Sequence, residues 1–333
     1  MRLEDCLPHL LYEFSSESDL TRAIQEVSQN FTTNRGDLTR YLKDQRLVSA
    51  YTAFYLTTNF PKLREVARWL PRDWVEGLKS CDFVDLGAGP GTFSLAWRDL
   101  GGEGAVHQIE TSELMQAQAL KLWRGLGNQG LSQAKFARKL PGSFLLFGHS
   151  ANEMGAPGAI RYIEEVSPDH VLFIEPGTKA FFPEMLKIRD HLLAAGFKVL
   201  FPCPEPLACP MRESGEDWCH QFITVRQEDD VERLSQLARK DRRHLPLIVH
   251  AYSKTFATKN PEERIVRVLP ETKFSFEWEV CRNNILEHYQ VMKRNLSKDR
   301  IKELGALTAG TPIETRLEKV VEKTKRVELL RIL

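Results

Sequence analysis

With 333 residues, 42% of them hydrophobic, and a net charge of +1, the chain can fill a core without disulfide staples, and its charge balance excludes a uniformly basic coat for nucleic acid. Six cysteines are too few and too unevenly placed for a secreted disulfide scaffold, and the three between Cys203 and Cys219 point to thiolate ligation in a reducing compartment. No apolar run approaches the roughly 18 to 20 residues of a membrane-spanning helix, and Met1-Arg2-Leu3-Glu4-Asp5-Cys6 has neither a basic, apolar leader nor the Arg-rich, acid-poor composition of a transit peptide, so a cytoplasmic location is expected.

Residues 1 to 78 read as a helical N-terminal domain, because Leu38, Leu42, Val48, Tyr51, Phe54, Tyr55 and then Leu63, Val66, Trp69, Leu70 recur at three and four. Asn59-Phe60-Pro61 is expected to break two of these helices. From 79 to 255 short apolar runs alternate with amphipathic stretches: strands are expected at 82–86, 105–109, 144–147, 171–174, 198–201 and 247–251, and helices at 112–126, 159–166 and 181–195, the last closed by Gly196. That alternation predicts an α/β fold with a mostly parallel, doubly wound, Rossmann-like sheet. Residues 256–333 read as a small basic appendage with short antiparallel strands at 265–269 and 274–280, followed by a terminal helix carrying Ile313, Leu317, Val320, Val321, Val327 and Leu330 on one stripe. Positive charge is local: residues 291–333 hold eleven Lys or Arg against six Asp or Glu, and a second run is Arg239-Lys240-Asp241-Arg242-Arg243-His244. Such patches can bind phosphate backbones or can simply be solvated helix faces.

Val84-Asp85-Leu86-Gly87-Ala88-Gly89-Pro90-Gly91-Thr92 is a strand, a glycine-rich turn and a helix start, the arrangement in which small residues let a ligand approach a helix N-terminus. Glu110, nineteen residues after Gly91 at the end of the next strand, is placed to accept hydrogen bonds from ribose hydroxyls. A dinucleotide site calls for GxGxxG, whereas Asp-Leu-Gly-Ala-Gly-Pro-Gly resembles the first motif of class I S-adenosylmethionine-dependent methyltransferases. The resemblance implies S-adenosylmethionine held at Asp85, Gly87, Gly89, Gly91 and Glu110, with Asp85 facing the methionine ammonium; a turn that binds nothing is the competing reading. The fourth strand runs into Gly148-His149-Ser150-Ala151-Asn152-Glu153 instead of the Asn/Asp-Pro-Pro-aromatic motif of many amino-group methyltransferases, so no catalytic base declares itself. Asn152 and Glu153 are the candidates there, against a helix N-terminus satisfied by Ser150 or Asn152.

Cys203, Cys209 and Cys219 are separated by five and nine residues, and Cys281 returns sixty-one residues later. Four thiolates can hold zinc or an iron-sulfur cluster, His220 is an alternative ligand, and unliganded buried cysteines are the competing reading. Pro202-Cys203 also matches the nucleophile dipeptide of RNA cytosine-5 methyltransferases, but that motif should follow the fourth strand and Cys203 follows the sixth.

Tyr41-Leu42, Arg46, Ala50-Tyr51, the Val84 to Thr92 loop, Ile174-Glu175-Pro176-Gly177-Thr178, Arg189, Pro202-Cys203, Cys209-Pro210, Asp217-Trp218-Cys219-His220 and Cys281 together resemble the methyltransferase-like proteins of the mitochondrial small ribosomal subunit, which act in its assembly, and their bacterial relatives. In that family the corresponding four cysteines ligate a four-iron four-sulfur cluster. The resemblance implies that Cys203, Cys209, Cys219 and Cys281 do so here, that the partner is the small ribosomal subunit or its RNA, and that the class I methyltransferase fold is present. It leaves open whether methyl transfer occurs, whether the fold serves as an RNA-binding platform, or whether the acceptor is a small molecule or protein.

Overall fold

The computed structural model describes residues 1–33, 43–213 and 217–333. Leu38, Tyr41 and Leu42 lie outside the described residues. The chain forms two compact units, one of residues 1–153, 161–174 and 223–245, the other of residues 154–160, 175–222 and 246–333. Among the described residues no helix is long and apolar enough to cross a membrane.

The first unit begins with helices α1 (Leu3–Cys6), α2 (Glu17–Thr33), α3 (Gln45–Tyr51), α4 (Thr57–Ala67) and α5 (Arg72–Leu78). Asp44 caps α3 by accepting from the backbone N–H groups of Arg46 and Leu47 at 2.7 and 3.3 Å. The break expected at Asn59-Phe60-Pro61 is absent, because α4 runs through Pro61. A π-helical turn at Thr52–Leu56 joins α3 to α4 just upstream. There the i→i−4 ladder is already interrupted, and the hydroxyls of Thr57 and Thr58 donate back to the carbonyls of Ala53 and Phe54 at 2.7 and 2.8 Å.

The alternating part follows as β1 (Phe83–Leu86), α6 (Thr92–Asp99), β2 (Val106–Ile109), α7 (Glu113–Gly125), β3 (Leu131–Ala134), β4 (Phe144–Gly148), α8 (Ala151–Val166) and β5 (His170–Pro176). These strands pair in parallel in the order β3-β2-β1-β4-β5, with Phe83 opposite Val106 on one side and Phe144 on the other. The order reverses between β1 and β4, so the carboxyl ends of those two strands flank the crevice in which such sheets bind ligands. The buried rings of Trp74, Phe83, Trp97 and Phe144 fill the opposite approach, with Phe83 stacked on Trp97 at 5.5 Å. Helix α8 contains a kink at Gly155, whose φ of 66° interrupts the helical backbone just after Glu153.

The remaining elements are α9 (Phe182–Ala194), β6 (Lys198–Phe201), β7 (Gln221–Thr224), α10 (Asp229–Leu237) and β8 (His244–Ser253). Strand β8 runs antiparallel to β6, with Lys198 opposite Ser253. The parallel strands with their switch point and this reversed pair are the class I methyltransferase arrangement, an α/β fold as the sequence implies.

The C-terminal part departs from expectation. It contains β9 (Glu263–Val268), β10 (Ser275–Arg282), β11 (Ile285–Met292), α11 (Lys298–Gly305), β12 (Pro312–Val321) and β13 (Thr324–Ile332). The terminal helix is absent, since Ile313, Leu317, Val320, Val321, Val327 and Leu330 lie on the last two strands. β-Branched Val and Thr favour the pleated sheet over the helix, and Glu322, at a φ of 54°, makes the turn of the hairpin. The barrel closes in the order β9-β10-β11-β13-β12, with β11 and β13 parallel and α11 between the third and fourth strands. That is the topology of an OB-fold. Its interior holds Ile265, Phe276, Trp278, Val280, Tyr289 and Val291, with Leu304 of α11 among them.

Trp278 is completely buried in this barrel. Trp278→Ala is expected to cost about 3 kcal/mol, measured by urea unfolding followed by circular dichroism, whereas Val320→Ala at an exposed position should stay within about 0.5 kcal/mol. Equal effects at the two positions would reject the barrel interior described here.

Candidate cofactor and metal sites

At the end of β1 the chain turns through Gly87, Gly89 and Gly91, with φ values of 67°, 51° and 84°. A methyl group at Gly87 would lie 2.6 Å from Cβ of Ser150, so close packing demands that glycine; one at Gly91 would meet only the movable end of Gln108, Nε2, at 2.7 Å, and there the φ of 84° favours glycine. A methyl group at Gly89 would meet nothing within 4 Å. The loop is therefore open at Gly89, where an added side chain would fill a cradle for a ligand.

Asp85 is buried, and its Oδ2 accepts from the backbone N–H and the hydroxyl of Ser94 at 2.9 and 2.7 Å. It thereby satisfies one of the orphan donors in the first turn of α6 and fixes the junction of loop and helix. Burial pushes its carboxyl up to about 6, the Ser94 bonds opposing and Glu110 adding to the rise. Glu110 stands at the open point: Oε2 accepts from the N–H of Gly89 at 2.9 Å and Oε1 from that of Ser112 at 2.8 Å. An ionised carboxylate has lone pairs left for hydroxyl donors after two such bonds. The open cradle at Gly89 and the acid beside it fit a nucleoside cofactor, as the sequence implies.

The π-helical turn brings further groups into the same unit. The ring of Tyr51 stacks on that of Tyr55 at 4.9 Å, and the guanidinium of Arg242 lies 5.2 Å from the Tyr55 ring while donating to Oδ1 of Asn59 at 3.1 Å. Lys62, buried on α4, lies with Nζ 3.0 Å from Nε2 of His149, the residue that follows β4. Burial and the charges of Lys62 and Arg242 hold His149 well below the usual imidazole range, so the ring is neutral and Nε2 accepts. Glu153 is exposed, yet the protein packed around it and the Glu110 carboxylate push its carboxyl upward. Tyr51 is raised by burial and then by Glu153. Asn152 is exposed on the first turn of α8. A carboxyl can take or release a proton and an amide cannot, so of the two candidates Glu153 alone has acid–base chemistry. Sequence reasoning missed Lys62, His149 and Arg242 as site residues. The π turn, a frequent mark of functional helices, has no signature in residue type.

In the second unit the cysteine loop follows β6. Arg189, buried on α9, donates through Nε to Sγ of Cys203 at 3.3 Å and through a terminal nitrogen to the carbonyl of Leu207 at 2.5 Å. Arg264, buried on β9, donates to the carbonyls of Pro202 and Gly310 at 2.9 and 2.6 Å and lies over the Phe201 ring at 4.5 Å. Cys281 is directly opposite Arg264 in the β9–β10 ladder. Asn284, in the β10–β11 turn, donates to the carbonyls of Leu207 and Ala208 at 2.9 and 3.2 Å. Asn260 donates to the carbonyl of Cys203 at 2.9 Å, and Nε2 of Gln221 reaches Sγ of Cys219 at 4.0 Å.

The four thiols feel one another. Burial first, and then neighbouring thiols, push Cys209 up to about 11, Cys281 up to about 12 and Cys219 well above its ordinary value, the last through Cys209, Cys203 and Cys281 together. Burial pulls Arg264 down to about 10, against the thiols of Cys219, Cys203 and Cys281. Among the described residues no three His, Cys, Asp or Glu side chains converge tightly enough to grip a metal ion. The four sulfurs lie within electrostatic reach of one another without forming such a group. Thiolates are soft ligands of the kind that hold zinc or iron-sulfur clusters, and two guanidiniums are buried beside them. His220 instead places Nδ1 2.9 Å from the carbonyl of Trp218. Arg264, Asn260 and Asn284 carry no sequence signal, because only the barrel register brings them to the loop.

Asp85 gives a pH dependence whose sign is opposite to that of an ordinary paired carboxylate. Between the unfolded value near 3.8 and the folded value of about 6 the native state holds a proton that the unfolded chain has lost, so stability falls as pH rises through that window. The gap corresponds to ~3 kcal/mol. Asp85→Asn keeps an acceptor for Ser94 and cannot ionise; relative to it, the wild type should be less stable at pH 7 than at pH 4.5 by about 2 kcal/mol in urea unfolding, part of the loss being complete at pH 4.5. A difference independent of pH would refute the buried, raised carboxyl.

Several methyltransferase crystal structures are similar to this chain. Magnesium protoporphyrin IX methyltransferase from Synechocystis PCC 6803 with bound SAM is 13% identical, with 71% of this chain and 97% of that one covered and a TM-score of 0.39. Ribosomal protein L11 methylase from Lactobacillus delbrueckii subsp. bulgaricus is 14% identical over 58% and 80%, with a TM-score of 0.34. Precorrin-6y C5,15-methyltransferase from Geobacter metallireducens is 12% identical over 55% and 87%, with a TM-score of 0.36. At these scores the fold rests on strand order, not on the likenesses. No curated protein matches the chain. The glycine loop, the Lys62–His149 pair and all four cysteines fall within residues 45–295, which match the family described as mitochondrial small ribosomal subunit Rsm22, and the chain belongs to that family.

Proposed function

We propose that this chain is a methyltransferase-type protein that acts on or with small-subunit ribosomal RNA during ribosome assembly, holding S-adenosylmethionine at Gly87, Gly89, Gly91 and Glu110 and a four-iron four-sulfur cluster at Cys203, Cys209, Cys219 and Cys281. The observation that carries the reading is the mutual reach of those four thiols beside two buried arginines, in a chain of a small-ribosomal-subunit family. Bound S-adenosylmethionine would supply an electrophilic methyl group on a sulfonium. Around it Asp85 fixes the loop, Glu110 receives hydroxyl donors, and the acidic surroundings suit a cationic cofactor. Glu153 and the Tyr51–Tyr55 stack would orient a flat acceptor, with Glu153 holding its proton.

One observation favours a second reading, an assembly factor that binds the cofactor without turnover. The position after β4, which many amino-group methyltransferases give to an acceptor-facing motif, is taken by the neutral His149 bonded to Lys62.

Protein purified without oxygen should be brown, with about four irons and four sulfides per chain, and Cys281→Ser should lose both colour and iron. A colourless wild type with about one zinc per chain would sink the cluster assignment. Gly89→Ala adds a methyl group to open space at a positive φ, costing about 1 kcal/mol in the fold, and should weaken S-adenosylhomocysteine binding at least tenfold by calorimetry. In cells lacking the wild-type chain, failed small-subunit assembly with this variant supports catalysis or obligate cofactor use. Normal assembly supports the non-catalytic reading.

A further inference from the structure

We infer that the β12–β13 hairpin is a single-stranded RNA-binding arm of the barrel. The inference deepens the ribosomal reading and rests on it only for the identity of the RNA. Strand β12 pairs with β9 at Pro312 and Ile313 alone, and beyond them its outer edge has no partner strand among the described residues. Residues 316–323 are all exposed. Leu317, Val320 and Val321 are 48%, 57% and 43% exposed, although Ile313, Val327 and Leu329 of the same hairpin enter the barrel core. Three apolar side chains on an open strand edge are a surface that a partner covers.

Charge selects the partner. From Arg316 to Arg326 the arm holds five basic residues, Arg316, Lys319, Lys323, Lys325 and Arg326, against Glu318 and Glu322, a net of +3. Arg316 and Lys325 are paired with Glu328 and Glu287. Lys319 and Lys323 have no ion-pair partner among the described residues and are exposed, available to phosphates. Barrels of this topology bind oligonucleotides over their second and third strands and with the loop between the fourth and fifth. Here the outer side of β10 and β11 carries Glu277 and Glu279, bonded to His288 and Arg267, and turns Cys281 toward the cysteine loop. Strands β10 and β11 carry a single Lys or Arg, Arg282, and it is paired with Glu263, so the contact moves to the fourth-to-fifth connection, which in this chain is the arm. Its apolar residues meet base faces and its lysines meet phosphates.

The test uses the full chain and a labelled mixed-sequence RNA of about 20 nucleotides, longer than the roughly 4 to 16 that one such barrel covers. Lys319→Glu with Lys323→Glu should weaken binding at least tenfold at about 0.1 M salt and reduce the slope of log K against log salt by about 1.4, two contacts at roughly 0.7 each. Leu317→Ser with Val320→Ser should weaken binding with the slope unchanged. Both pairs are exposed, and an unchanged thermal midpoint shows that the fold is intact. Equal affinity and slope in the lysine variant overturns the inference. Wild type that ignores the oligonucleotide but sediments with small subunits in an arm-dependent way also overturns it, since the arm then meets protein or folded RNA, while the ribosomal reading survives. Arm-dependent oligonucleotide binding without sedimentation upholds the arm and sinks the ribosomal reading.

Discussion

A guanidinium buried away from any carboxylate is the constraint on which the cysteine site depends. Arg264 is buried, makes no ion pair among the described residues, and spends its donors on the carbonyls of Pro202 and Gly310. A pKa of about 10 leaves it charged at neutral pH, and desolvating that charge is costly unless an anion compensates. The nearest candidates are thiols, yet burial and mutual repulsion keep Cys209 and Cys281 protonated up to about 11 and 12. A cation without an anion and thiols that cannot ionise are each unfavourable. The proposed cluster would resolve both at once, because a metal takes up thiolates outright and would leave a negative assembly beside Arg264.

The first unit shows the same frustration with the opposite remedy. Glu110 raises both Asp85 and Glu153, so its carboxylate opposes the ionisation of two neighbours. A bound cation relieves that repulsion, and the proposed cofactor carries positive charge on its sulfonium and its ammonium. Asp85 is already committed to Ser94, so the relief acts through Glu110, whose carboxylate sits at the open point of the loop.

The glycine loop, Glu110, the first cysteines and the strands at β1, β2, β4, β5, β6 and β8 were legible because each couples a residue type to a local geometry. Strand β3, Leu131–Ala134, has no apolar run and is half exposed, so it gave no signal. The hairpin of β12 and β13 was misread because Ile313, Leu317, Val320 and Val327 satisfy a helical stripe. Only the inward pair Val327 and Leu329 shows the period of two, and the β-branched content was the better guide. Pro61 misled for a different reason: the π turn that tolerates it is a property of backbone and threonine hydroxyls, not of an apolar pattern. Residues such as Lys62, His149, Arg264 and Asn284 acquire roles only from partners far away in sequence.

Cys281 joins the other thiols through register. In the β9–β10 ladder Glu279 faces Arg267, the pairing then slips, and Val280 faces Ile265 while Cys281 faces Arg264. The extra residue is Val266 on β9, so past it a shift of one residue exchanges the two faces of β9 while β10 keeps its alternation. That slip sets Ile265 opposite Val280, both in the barrel core, and the buried Arg264 opposite Cys281. Asn284, held at a φ of 60° in the following turn, then ties the cysteine loop to the same edge through Leu207 and Ala208. One bulge thus decides both how the barrel packs and which residue faces Cys281, which would make the barrel a structural part of the proposed metal site.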